Sequence, residues 1–84
     1  MNRKQRINNL LLNQFEEFSI EIIDNSHLHK GHNNFNGLEE THIKIILKRN
    51  NPLKINRLEI HRKINELINK EFNHGLHAIE IEIN

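Results

Sequence analysis

Three histidines fall close together at His27, His29 and His32, spaced H-x-H-x2-H in a polar stretch. Imidazoles at that spacing can present two or three nitrogens to a borderline metal such as zinc, or to an iron of a cluster. Metal sites ordinarily add a distant ligand or an ordering carboxylate, and histidine-rich loops are often simply solvated, so the run alone is a weak ligand set. His77 opens the segment HAIEIEI and shares the parity of Ile79, Ile81 and Ile83. On the residues alone this places it at the margin of the core, as a partly buried ring with one backbone hydrogen bond.

A second set of chemistry-bearing residues is basic. Arg57, His61, Arg62 and Lys63 fall together, on what the pattern predicts are the first turns of a helix. Cations there oppose the helix dipole unless something anionic approaches, such as DNA phosphate, a glutathione carboxylate or an acidic partner. A solvated basic face, with His61 packed on the sheet edge, accounts for them equally well. For catalysis the chain offers Ser19 and Ser26 as hydroxyl nucleophiles, and Ser26 adjoins His27. Neighbours on an extended chain point to opposite sides, which is poor geometry for proton transfer. No catalytic residue is assigned, and a non-enzymatic protein is expected.

Composition narrows the classes further. The chain has no cysteine, so it has no disulfide, no thiol nucleophile and no thiolate of its own for an iron–sulfur cluster. The formal charge is +1, too small for a broad field that attracts phosphate or anionic lipid, so any nucleic-acid contact must rest on a local patch. No apolar run approaches the roughly 20 residues a membrane span requires, and the first residues lack the pattern of a secretory leader. A soluble, cytoplasmic protein is expected, as a monomer or weak homodimer when alone.

These side chains must be positioned by a small fold, since 84 residues suffice for one domain, 1–84, and no second. Ile7, Leu10, Leu11 and Phe15 recur at helical spacing and predict an amphipathic helix from Arg3 to about Phe15, with Arg3, Lys4 and Arg6 directed away from its apolar stripe. SIEIID (Ser19 to Asp24) and THIKIILK (Thr41 to about Lys48) alternate as strands and should pair antiparallel across a long loop over 25–40. Asn50, Asn51 and Pro52 interrupt the pattern. A long helix then carries Ile60, Ile64, Leu67, Ile68 and Phe72 on one face and ends at Gly75. His77 to Ile83 closes the order helix, strand, strand, helix, strand. Two helices on one face of a sheet is the α+β solution, with the Lys/Glu side of the sheet left to solvent or a partner.

The blocks IIDNSHLHKGH, EETHIKIIL, NRLEIHRKINELINKEF and GLHAIEIEI follow one another in the order and spacing of BolA-like proteins. The chain resembles that family over nearly its whole length. The resemblance implies a fold similar to the type II K-homology domain and a partnership with monothiol glutaredoxins in iron–sulfur cluster handling. In such complexes a [2Fe-2S] cluster is shared with the glutaredoxin cysteine and glutathione. The residues this implies as ligands are His77 and a loop histidine, either His29 or His32. As neutral imidazoles they would bind less well in acid, and their replacement of thiolate would raise the cluster potential. The chain departs from the family pattern at Ile43, where relatives have Phe, at Ile60 for the first Arg of Arg-His-Arg, and at Pro52-Leu53-Lys54 for Phe-x-Gly. Transcriptional regulation through DNA is the alternative the resemblance suggests, by way of Arg57, Arg62 and Lys63. No G-x-x-G loop of K-homology domains is present, and the aromatics, Phe15, Phe18, Phe35 and Phe72, lie outside the basic segment.

Overall fold

The computed structural model describes residues 2–26, 41–52 and 54–84. The first helix, α1, spans Arg3–Gln14 and begins with a reciprocal cap. The Asn2 side chain accepts from the Gln5 backbone N–H, and the Gln5 side chain accepts from the Asn2 N–H, so two of the otherwise unpaired first-turn donors are satisfied. Ile7 and Leu11 are fully buried. Leu10, expected on the same stripe, lies at its edge and is 37% exposed. The helix stops at Phe15, whose backbone leaves the helical region and whose ring meets Phe18 edge to face, centroids 6.0 Å apart.

Strand β1 (Phe18–Asp24) pairs antiparallel with β2 (His42–Arg49), Phe18 opposite Arg49 and Asp24 opposite Ile43. The two runs of alternating residues predicted this pairing, and one face of each supplies the core: Phe18 and Ile22 from β1, Ile43, Ile45 and Leu47 from β2. After Pro52 the chain enters helix α2 (Arg57–Leu67), capped by the Asn56 side chain, which accepts from Glu59 N–H. Ile64 and Ile68 complete the core with no exposed surface.

The single long helix expected from Ile60 to Phe72 is two. Ile68, at φ −102° and ψ 12°, ends α2, and a short α3 (Asn69–Asn73) follows. Ile68 keeps its side chain fully buried while its backbone adopts the bridge conformation, and its carbonyl accepts from Glu71 N–H at 2.9 Å. Hydrophobic spacing survives such a break, which is why periodicity alone did not reveal it.

Gly75 then turns the chain at φ +109°. A Cβ there would stand 3.4 Å from the Arg3 guanidinium, in a backbone conformation costly for any other residue. Gly75→Ala is expected to lower stability by about 1–2 kcal/mol, read as a lower urea midpoint. Strand β3 (Ala78–Ile83) finally joins β2 in parallel, Ile79 opposite Ile43 and Ile83 opposite Leu47, giving among the described residues a three-stranded sheet in the order β1-β2-β3. The helices cover the isoleucine face of this sheet. The other face carries Lys44, which reaches Glu82 at 3.3 Å and Glu80 at 3.8 Å.

Arg3 and Arg6, directed away from the apolar stripe, are nonetheless engaged by the fold. Both bind Glu71 of α3: Arg3 Nε at 2.9 Å, and Arg6 through Nε at 2.9 Å and Nη2 at 2.8 Å. Arg3 also donates to the His74 carbonyl. The clamp ties the first helix to the turn that delivers β3.

Candidate metal-binding corner of the sheet

One end of the sheet is built by local hydrogen bonds around Ser26, which is 2% exposed. Its hydroxyl donates to the Asp24 carboxylate, and its oxygen accepts from Thr41 N–H at 2.9 Å. The backbone N–H of Ser26 also donates to Asp24 at 3.0 Å, an Asx turn that lets the strand end without leaving donors unpaired. With the Asn25 N–H bonded to the His42 carbonyl at 2.8 Å, the point where the chain leaves β1 is pinned to the point where it enters β2. Ser26 therefore fastens two strands and is not presented as a nucleophile.

The same corner receives the start of β3. The Thr41 carbonyl accepts from His77 N–H at 2.7 Å and from Ala78 N–H at 3.2 Å. These paired bonds hold His77 beside His42. The two imidazoles stack, centroids 5.3 Å apart and planes 24° from parallel, and His42 Nδ1 lies 3.1 Å from Thr41 Oγ1.

The expectation that His77 would sit at the core margin is corrected. The residue is exposed, because regular alternation begins only at Ala78 and the ring leans on the half-buried His42 instead of joining Ile79 on the helix side.

Chemically this corner offers one accessible imidazole backed by another. Lone pairs of stacked rings lie in nearly parallel planes, so at this spacing they cannot converge on one ion at the roughly 2 Å of a metal–nitrogen bond. Among the described residues no cluster of three or more metal-ligating side chains occurs. Ligation through His77 thus requires donors brought from elsewhere. His27, His29 and His32 lie outside the described residues. Covalently, the segment that carries them leaves from Ser26 and returns at Thr41, the two residues that form this corner.

The basic residues lie at the other end of the molecule. The start of α2 and the Phe15–Phe18 turn line one groove, together with Ile55, Glu59 and Lys63, and Phe18 pairs with Arg49, the last residue of β2. His42 is the first residue of that strand, so about 20 Å of sheet separates this end from His77. Arg57, Arg62 and Lys63 are exposed, and His61 is half-buried. At about 100° per residue they fan around the helix. Lys63 turns to the groove, while Arg62 shares a face with Leu58, which is 59% exposed.

The family described as BolA-like protein matches residues 11–84. The chain belongs to the BolA-like family. An uncharacterised protein in the cobS 5′ region of a Sinorhizobium species is 32% identical over 83 residues, covering 98% of this chain and 89% of that one. A DNA-binding transcriptional regulator BolA of Haemophilus influenzae is 29% identical, covering 99% and 77%. Among solved structures, the BolA domain of SufE1 from Arabidopsis thaliana superposes with a TM-score of 0.78 at 27% identity, and BolA1 from the same plant with 0.77 at 29%. Each comparison covers 100% of this chain and 92% of the other. The BolA-like fold is thus the small α+β domain that the order of helices and strands predicted.

Three residues of this BolA-like corner escaped sequence reasoning. Nothing local marks His42 within the alternating run THIKIILK, and only the register places it next to Ala78. Asp24 and Ser26 carried a local clue, since an Asp two residues before a Ser is the spacing of an Asx turn.

Proposed function

We propose that this BolA-like protein acts as the partner of a monothiol glutaredoxin, contributing His77 and a histidine from the 27–32 segment to a shared [2Fe-2S] cluster. The observation that carries this reading is the exposed His77 imidazole, fixed through its backbone to Thr41 and placed where the histidine-bearing segment departs and returns. An all-histidine contribution suits a chain with no cysteine, because thiolates must then come from the glutaredoxin and glutathione. The cluster is cargo held between two proteins, and this chain works without a catalytic residue of its own.

The experiment is anaerobic titration of the protein into cluster-loaded monothiol glutaredoxin with glutathione, followed by visible circular dichroism and by the mass of the product. A new spectrum with a one-to-one complex supports the assignment. No association and an unchanged spectrum would sink it.

DNA binding is the second reading, favoured by the name of the Haemophilus influenzae relative and by the exposure of Arg57, Arg62 and Lys63. It predicts that fluorescence anisotropy of a labelled duplex rises with protein and that each Arg→Ala change at Arg57 or Arg62 lowers the salt slope by about one. A salt slope unaltered in both variants would remove these residues from any DNA contact.

A further inference from the structure

We propose that the open edge of β3 accepts an extended segment of a partner protein in which basic residues alternate with apolar ones. Among the described residues β3 has a single neighbour, β2. Ladder bonds to β2 are made by Ala78 and Asn84: Ala78 N–H to the Thr41 carbonyl, Asn84 N–H to the Leu47 carbonyl, and Arg49 N–H to the Asn84 carbonyl. In a parallel ladder alternate residues face a given neighbour. That parity turns the backbone N–H and C=O groups of Ile79, Ile81 and Ile83 outward, toward the open side. Three donors and three acceptors in register form a template for another strand.

The side chains specify which strand. On the helix side Ile79, Ile81 and Ile83 pack against the core yet remain only partly buried, so apolar residues of an added strand would cover the surface they still expose. On the opposite face stand Glu80 and Glu82, with side-chain exposures of 68% and 45%. The Asn84 amide donates to Glu82 at 3.0 Å; this bond and Lys44 beside it hold the Glu82 carboxyl below its ordinary range. Among the described residues the single Lys44 ammonium serves both glutamates, leaving net negative charge along the edge. Directly opposed residues of paired strands project to the same face. An added strand therefore meets isoleucines on one face and glutamates on the other.

A second copy fits poorly. Antiparallel pairing of β3 with itself about Ile81 sets Glu80 against Glu82 of the other copy, twice, and like charges directly opposite each other are destabilising. Lys or Arg at those positions reverses the sign. The glutamates thus act as a selectivity element, admitting a basic and apolar strand while discouraging self-association.

The test uses the full 15N-labelled chain and three six-residue peptides: alternating Lys and Val, alternating Glu and Val, and the Lys/Val peptide N-methylated at every second amide. The Lys/Val peptide is expected to shift the amide resonances of Ile79, Ile81 and Ile83 and to slow their exchange with solvent, and the N-methylated peptide to bind more weakly. In the Glu80→Lys/Glu82→Lys variant, affinity for Lys/Val should fall about tenfold while the Glu/Val peptide begins to bind. Unchanged resonances of the core would show that this variant keeps the fold. Equal response to both charged peptides, shifts confined to the groove between α1 and α2, or concentration-dependent shifts of Ile79 to Ile83 without peptide would each overturn the proposal. None of these readouts involves His77 or a metal, so the outcome is independent of the cluster assignment.

Discussion

Replacing His77 with alanine is expected to abolish the visible circular dichroism of the glutaredoxin complex and return the cluster to the glutaredoxin. Structural zinc sites with four protein ligands supply about 10–16 kcal/mol, or on the order of 3 kcal/mol per ligand. A comparable loss here is roughly a hundredfold in affinity. The backbone N–H of His77 makes the 2.7 Å bond to Thr41, and alanine retains it, so β3 should remain in place and far-ultraviolet circular dichroism should not change. His42 supplies the control. Its ring stacks on His77 at 5.3 Å, and His42→Ala removes that support without removing the ligand. A partial loss of affinity, restored by His42→Phe, would identify stacking as the contribution of His42. Failure of Phe to restore it would assign His42 a role through its nitrogens. His29→Ala and His32→Ala, compared in the same titration, distinguish the loop ligand, since only the true ligand should alter the spectrum. A His77→Ala complex with the wild-type spectrum would end the cluster assignment.

The parts of this fold legible in the sequence are those governed by short-range periodicity. Ile20 and Ile22, Ile43 to Leu47, and Ile79 to Ile83 alternate because one face of each strand meets the helices, and the observed register follows from that alternation. The order of elements follows from the same runs and the breaks between them, and the family resemblance implied a fold that agrees with it. What escaped were contacts between residues far apart in sequence. Arg3 and Glu71 are 68 residues apart, and no local pattern distinguishes an arginine in a buried ion pair from one in solvent. The break at Ile68 escaped for the complementary reason: a single residue in the bridge conformation leaves the hydrophobic spacing intact. His77 was misplaced because parity was extended one residue beyond the true start of β3. Its shared hydrogen bond to Thr41 with Ala78 is a tertiary fact that frees its ring to stack on His42.

Topology also separates two readings that the sequence could not. The His77 corner lies where β2 begins, and the basic start of α2 lies where β2 ends. A glutaredoxin gripping the cluster at the first end would leave Arg57 and Arg62 accessible at the other. Binding of a partner and binding of DNA are therefore not mutually exclusive by position, and competition between them in solution would imply coupling through the sheet or a partner large enough to span it.

Acid should weaken this protein through Glu71. The residue is buried, 8% exposed. Hydrogen bonds from Arg6 and then Arg3, with the charge of both guanidinium groups, outweigh the cost of burial and lower its pKa from 4.5 to about 2. The folded state thus holds the ionised form more strongly than the unfolded chain does. The resulting stability is fully present above about pH 5 and is lost as the pH falls from 4.5 towards 2. A displacement of that size corresponds to about 3 kcal/mol at neutral pH. The side chain is only 10% exposed, so solvent screens the pair far less than a surface ion pair. Glu71→Gln keeps the shape and one acceptor but removes the charge, and is expected to cost about 2–3 kcal/mol at pH 7. Arg6, whose side chain is 41% exposed, can turn to water, whereas Arg3, at 11%, cannot, and most of the penalty falls on it. Urea unfolding of wild type and variant at pH 7 and pH 3 measures this directly. The difference between them should shrink at the lower pH, because between pH 4.5 and 2 the unfolded wild-type chain takes up a proton at Glu71 that the folded state still excludes, and wild type so loses an advantage that glutamine never had. A difference of constant size across that range would mean that Glu71 stabilises the fold by packing and neutral hydrogen bonding, with its charge contributing nothing.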